Sequence, residues 1–482
     1  MEYETVIGME IHAQLATRTK VFCGCSTEFG ADPNVHVCPV CLGMPGVLPV
    51  LNKEVVNLAI RGALALRAKI QGMSRFARKS YFYPDLPKGY QISQYEESFA
   101  TDGYVMIDSD GKRKKIRVKR MNLEEDAGKS IHEQSTTLVD FNRCGVALLE
   151  IVTMPDLKSP EEAVAYLRTV RRQLQYAGVS SCDMEKGHFR CEPNVSVRPA
   201  GSDKLGTRTE LKNLNSLKAV ERGLRFEIER QIGLLKRGEQ VVQQSLLWDE
   251  KEQKAAPMRA KEEAEDYRYF IEPDLVPLIV DTPWVEKVKS DVPELADDRA
   301  ERFVKEYGIR PYDAGVLTST RELADYYERT IGFHKDPTGL ANWISTEVLG
   351  LMHEKGIAIR ELKARPEHLA ELFDLIADGS INKKMAKEIF MEMAEKGMGA
   401  KAIVSQKGLR QVTDEKELED MITRVLSENP KEVERYFGGK DALFGFFVGQ
   451  VMKASRGKAN PKLVNEILRR QLDKRKNSPN SQ

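Results

Sequence analysis

Near residue 290 the chain changes its hydrophobic pattern, and that break constrains the fold more than any motif. Upstream, short β-like alternations are divided by glycine turns and scattered prolines; downstream, apolar residues follow helical spacing with few β-branched runs. A sheet-bearing half followed by a helical half predicts an α+β chain with separate cores. Ser290-Asp291-Val292-Pro293-Glu294 reads as a helix start, with a capping side chain, a proline and an acid in the first turn. Helices are expected over Pro366–Ile376 and Lys383–Lys396, then over Glu415–Ser427, Ala442–Ala454 and Pro461–Lys474 after a softer break at Gly397 and Gly399. The expected domains are 1–293, 294–405 and 406–482, in keeping with roughly 100–200 residues per domain.

Lys plus Arg (74) almost cancels Asp plus Glu (73), so no protein-wide field draws in an anion and any nucleic-acid site must be local. The opening residues carry neither a basic start nor an apolar run, so no secretory signal is expected. Pro33–Asn52 lacks charged residues, yet its four prolines would break a membrane helix. A cytoplasmic protein with no membrane partner is the expectation, and seven cysteines then suggest reduced thiols or metal ligation.

The strand candidate Thr5–Leu15 puts Ile7, Met9, Ile11 and Leu15 on one side and Glu10, His12 and Gln14 on the other. Phe189–Arg198 repeats the split, with Arg190, Glu192 and Asn194 on its polar side, and Arg208, Glu210 and Lys212 follow the same rule. Glu150 lies within the apolar run 146–152, where a buried acid needs a partner. Glu124-Glu125-Asp126 follows a strand whose predecessor joins it through an Asp-Gly hairpin at Ser109-Asp110-Gly111. Carboxylates clustered on one sheet face repel one another, and an oxygen-rich set favours Mg²⁺ over zinc. Mg²⁺ beside Arg190, Arg208 and Lys212 suggests nucleotide phosphates, hence ATP. A solvated polar sheet face remains the alternative. Gly128-Lys129-Ser130 lacks the upstream glycine of a phosphate-binding loop, because position 123 is Leu.

Cys23, Cys25, Cys38 and Cys41 form C-x-C-x12-C-x2-C, a spacing suited to a closed, structural tetrahedral Zn²⁺ site; four free, partly buried thiols are the alternative. Cys144, Cys182 and Cys191 read as packing residues. From Lys440 to Lys476, ten Lys or Arg face three Asp or Glu, a local phosphate-binding footprint or else a solvated helix face. Its candidate phosphate-contacting residues are Lys453, Arg456, Lys458, Lys462, Arg469 and Arg470. Lys112–Arg120, with seven Lys or Arg in nine residues, reads as an exposed ribbon on the hairpin, and Phe444, Phe446 and Phe447 read as core.

Seven segments in order resemble the B subunit of the bacterial glutamyl/aspartyl-tRNA(Gln/Asn) amidotransferase across almost the whole chain. They are E-T-V-I-G-M-E-I-H at Glu4–His12, K-S-Y-F-Y-P-D-L-P-K-G-Y-Q-I-S-Q at Lys79–Gln94, L-E-E-D-A-G-K-S at Leu123–Ser130 and L-L-E-I-V at Leu148–Val152. E-L-K-N-L-N-S at Glu210–Ser216, D-Y-R-Y-F at Asp266–Phe270 and G-Q-V-M-K-A-S-R-G-K-A-N-P at Gly449–Pro461 complete the set.

The resemblance implies a glutamine-synthetase-like antiparallel-sheet cradle domain, an all-helical domain and a small helical tail domain. It implies a glutamine-hydrolysing carbon-nitrogen ligase: ATP activates the side-chain carboxylate of misacylated Glu-tRNA(Gln) or Asp-tRNA(Asn), and ammonia from an A subunit displaces phosphate. A small C subunit completes the implied heterotrimer. Carried over by motif, Glu10, His12, Glu124, Glu125 and Glu150 are the catalytic set, with Glu10, His12, Glu125, Glu150 and Glu192 as Mg²⁺ ligands. Lys79, Tyr81, Lys88, Tyr90 and Ser93 are expected to line the ATP site, with Arg190, Asn194, Glu210, Lys212 and Asn213 opposite. The chain departs from the family pattern at Glu192-Pro193, where Asp and a small residue are usual, and at Ile271, which replaces proline. Two rivals are an archaeal E-type subunit, for whose synthetase-like insert there is no room, and a tRNA-binding scaffold with a dead cradle. The intact set of acids and His12 argues against the second.

Overall fold

The computed structural model describes residues 2–109, 111–258, 267–407, 415–455 and 459–476. It is a mixed α+β chain in two compact units, Met1–Ala296 and Asp297–Gln482, with a large sheet in the first and helices throughout the second.

The Tyr3–Gln14 strand runs near the middle of a nine-stranded sheet, antiparallel to Phe189–Pro199 on one side and Ala147–Thr153 on the other. Its alternation decides its faces: Ile7 and Ile11 are fully buried and Met9 nearly so, while Glu10 and His12 face the opposite way. Each such apolar side chain contributes about 1.5–3 kcal/mol on burial, so a one-residue slip would expose the whole row. Register therefore fixes Glu10 opposite Glu192 and His12 between Arg190 and Glu150.

Helices Lys53–Ala65, Pro160–Tyr176 and Leu217–Lys236 supply apolar residues to the core under the sheet. The upstream half is therefore richer in helix than its β-like alternation suggests. Their starts are written in the sequence: the side chains of Asn52, Ser159 and Ser216 each accept a backbone N–H of the first turn, and Pro160 opens the second helix. The sheet is antiparallel except where Thr209–Lys212 runs parallel to Gln244–Asp249. The Leu217–Lys236 helix lies between those two strands in the chain and supplies the crossover a parallel pair requires.

The hairpin of Ala100–Ser109 and Lys112–Glu125 forms, although Asp110 at its tip lies outside the described residues. Its basic run alternates: Ile116 and Val118 are buried, while Lys114 and Arg117 ion-pair with Glu162 and Asp156. A smaller sheet of Phe270–Ile271, Ala77–Ser80 and Tyr90–Ser93 carries Lys79, Tyr90 and Ser93.

Ser290–Glu294 is not a helix start. A helix capped by Asp281 ends at Ser290, and the next spans Ala296–Tyr307. Proline disfavours helical backbone at the residue before it, so Val292-Pro293 falls in the connection. In the second unit one apolar cluster runs from Phe303 to Val404 and another from Leu418 to Leu472. Lys383–Lys396 forms as the spacing predicts, as do Pro366–Ala377, Glu415–Glu428, Leu443–Ala454 and Pro461–Lys476 within two residues at either end. Residues 477–482, expected to be loose, lie outside the described residues. Among the described residues no helix is long and apolar enough to cross a membrane.

Candidate active site

Five neighbouring strands bring acids and cations to the sheet face opposite the core. Ligand-type atoms of Glu10, His12 and Glu150 lie within 4.8 Å of one another. His12 Nε2 stands 2.9 Å from Glu124 Oε1 and 3.8 Å from Glu10 Oε1. Asn122 donates to Glu150 Oε2 at 2.7 Å, and the Ser93 hydroxyl donates to Glu124 Oε2 at 3.0 Å.

This crowding shows in the acid strengths. Burial raises the Glu150 carboxyl to about 7, with repulsion from Glu124 and Glu10 adding to it. Burial opposes a charge on His12, but the carboxylates of Glu124 and Glu10 outweigh it and raise the imidazole to about 9. Burial likewise opposes charge on Glu124, yet His12 and Lys79 hold it below the ordinary carboxylate range. Two acids and one imidazole at this separation, Glu10, Glu150 and His12, fit a divalent cation chemically: it would relieve the repulsion at Glu150 and displace the proton from His12.

Glu125 does not join this group. It ion-pairs with Lys88 and accepts the Ile92 backbone N–H at 2.9 Å, while the Gln91 side chain donates to its carbonyl at 2.7 Å. Burial raises its carboxyl against the pull of Lys88. Glu192 is held by Lys212, whose Nζ also lies 3.6 Å from Glu210. Ser245 donates to Glu210 at 2.6 Å, Asn213 donates to the Trp248 carbonyl at 3.0 Å, and Asn194 pairs across the strands with Glu210.

Lys79 enters from the small sheet with its ammonium 4.8 Å from the Tyr267 ring centre and 5.8 Å from that of Tyr81. Tyr269, from the same Tyr-Arg-Tyr run, stacks on Tyr95 at 4.1 Å between centroids. Arg78 lies 4.2 Å from the Tyr90 ring and ion-pairs with Glu272 at 2.8 Å, and so braces that residue. Arg190 reaches Asp126 at 3.0 Å, and Arg143 reaches the same acid at 3.4 Å. Next to them opens a cavity of about 910 Å³ lined by Gln14, Arg143, Lys186, Arg190, Glu192 and Asn213. Sequence reasoning gave no role to Asn122, Tyr267 or Tyr269; the alternation of Tyr-Arg-Tyr was a signal for the tyrosines.

The sulfurs of Cys23, Cys25, Cys38 and Cys41 also lie within 4.8 Å of one another, a donor set that could bind a metal. The Cys23 thiol and the Cys38 backbone N–H hydrogen-bond Cys41 and, against burial, pull it below the ordinary thiol range, with Lys20 adding to the effect. Cys144, Cys182 and Cys191 are buried and unpaired, as packing residues should be.

In the C-terminal helices, Lys453 and Lys462 are exposed. Arg469 sits 5.5 Å from the Phe444 ring, and Arg470 pairs with Glu415 at 2.7 Å and with Glu419. Arg456 and Lys458 lie outside the described residues. Phe447 is fully buried, with Phe444 and Phe446 packed against the same cluster.

The acid-lined sheet belongs to a known catalytic class: residues 5–286 match the family described as the GatB/GatE catalytic domain, and residues 325–472 match the one described as the GatB domain. The chain belongs to the family of aspartyl/glutamyl-tRNA(Asn/Gln) amidotransferase B subunits. It is 54% identical to the protein of that name from Thermodesulfovibrio yellowstonii, over 97% of this chain and 99% of that one. The Carboxydothermus hydrogenoformans and Persephonella marina proteins are each 51% identical over 98% of this chain, covering 99% and 100% of their own lengths.

Proposed function

We propose that this chain is the B subunit of a tRNA-dependent amidotransferase, a glutamine-hydrolysing ligase that converts Glu-tRNA(Gln), Asp-tRNA(Asn) or both to the amide forms. The observation that carries the reading is the convergence of Glu10, His12, Glu124 and Glu150 on one sheet face. A carboxylate is a poor electrophile at neutral pH, and activating it with ATP makes an acyl phosphate that ammonia can open with loss of phosphate.

Glu10, His12 and Glu150 would hold Mg²⁺, with Glu124 against His12. When bound, the cation neutralises phosphate charge. Lys79, Arg190 and Lys212 supply fixed positive charge around the acids, and the aromatic rings of Tyr81 and Tyr267 shield Lys79 from water. Glu125 and Glu192, each held by a lysine, border the site as ion pairs rather than as members of the acid cluster. Lys88, Tyr90 and Ser93 belong to the ATP-lining wall in this reading, with Asn194, Glu210 and Asn213 opposite.

The first unit is the cradle domain, of glutamine-synthetase type, and the two helical clusters correspond to a helical domain and a tRNA-binding tail. The four cysteines hold a structural zinc, and an A and a C subunit complete a cytoplasmic heterotrimer. The test is direct: the chain with its A and C partners, ATP, Mg²⁺, glutamine and each misacylated tRNA should yield amide product. Failure with both tRNAs, while the A subunit still hydrolyses glutamine, would reject the assignment.

A further inference from the structure

Lys20 is fully buried beside the four cysteines, at 0% exposure. Its ammonium donates to the His36 carbonyl at 2.7 Å and the Phe141 carbonyl at 3.3 Å, and lies 3.6 Å from Cys41 Sγ. None of these partners is a carboxylate. A buried ammonium needs a compensating anion, and of the three only the sulfur can carry a full charge. Four thiolates around a divalent cation carry a surplus of two negative charges, which a dry interior also penalises. Each excess answers the other.

Gly145, at φ +82°, lies against this group: a Cβ placed there would be in ordinary van der Waals contact with Cys41 Cβ and Lys20 Cδ at 3.5 Å. The Val21 N–H donates to the Gly145 carbonyl at 2.9 Å, which ties the residue after Lys20 to the same turn.

We propose that Lys20 is a positioning residue of the four-cysteine centre, its ammonium offsetting one thiolate charge at Cys41 and pinning the cysteine loop to the 141–145 turn. This deepens the zinc reading above and rests on it.

The experiment uses full-length protein loaded with Zn²⁺ or, separately, with Co²⁺, as wild type and as Lys20→Met and Lys20→Gln. Zinc release into excess chromophoric chelator should be about tenfold faster in both variants. The thiolate-to-cobalt charge-transfer band should move to longer wavelength, because removing the ammonium makes the sulfur a better electron donor. Release at the wild-type rate would overturn the proposal, as would faster release with an unmoved band, which signals scaffolding alone. If Lys20→Met fails to fold, Lys20→Gln decides, since its amide can keep a carbonyl contact while losing the charge. Wild-type protein that binds neither metal would instead remove the zinc reading itself, and the proposal with it.

Discussion

Glu124 and Glu125 are adjacent in one strand and turn to different partners. Glu124 meets His12 at 2.9 Å, whereas Glu125 turns to Lys88. Successive side chains of a strand diverge, and the two acids have different chemistry despite sharing a peptide bond.

Glu124→Gln should therefore lower ATP-dependent carboxyl activation by about 10²-fold or more, a loss typical of a group acting on developing charge. The affinity for tRNA should stay near wild type. Single-turnover amidation measured alongside filter binding checks this, and an equal fall in both would point to misfolding.

Glu125→Gln should instead act on stability, by about 3 kcal/mol, because it strands a largely buried ammonium. Adding Lys88→Met should restore most of the loss, since burial already opposes the Glu125 charge. Urea unfolding of the two single variants and the double variant gives the comparison.

Of the cluster's perturbed groups, His12 and Glu150 bind protons more tightly when folded, whereas Glu124 is lowered and acts only below the ordinary carboxylate range. For His12, raised from 6.5 to about 9, the stabilisation is complete below 6.5 and is lost as pH climbs through 9. Glu150, raised from 4.5 to about 7, makes stability fall as pH rises across that interval. In magnesium-free buffer the melting temperature should thus decline from about pH 5 to pH 9, and a His12→Gln/Glu150→Gln variant should show a shallower decline. A steeper one would contradict the assignment.

Chelating a metal held by the four cysteines should release the cysteine loop before the sheet. That loop is docked by Asn34, which exchanges hydrogen bonds with Val139 and Phe141, and by Asn142, whose amide donates to the Asp32 carbonyl. Hydrogen exchange after chelation should show lost protection in residues 23–50 and retained protection in Tyr3–Gln14.

The exposed lysines and Arg470 should separate in tRNA binding. Lys453→Ala and Lys462→Ala should each reduce the salt slope of tRNA affinity by about one. Arg470→Ala should change it less, because Glu415 and Glu419 already occupy that guanidinium. Affinity measured over a salt series distinguishes them.

The sequence by itself determined what local physics dictates. Period-two alternation set the faces of Tyr3–Gln14 and Phe189–Pro199, helical spacing marked the downstream elements, and cysteine spacing marked a thiolate set. It missed the helices capped by Asn52, Ser159 and Ser216, whose start signals stand among β-like segments. Alternation says which way a side chain points but not which strand lies beside it. Only the tertiary structure decided that Glu10, His12, Glu124 and Glu150 converge while Glu125 does not, that Glu192 meets Lys212, and that Lys20 lies buried against Cys41. Those relationships join residues distant in the chain, and strand register and core packing, rather than any local preference, bring them together.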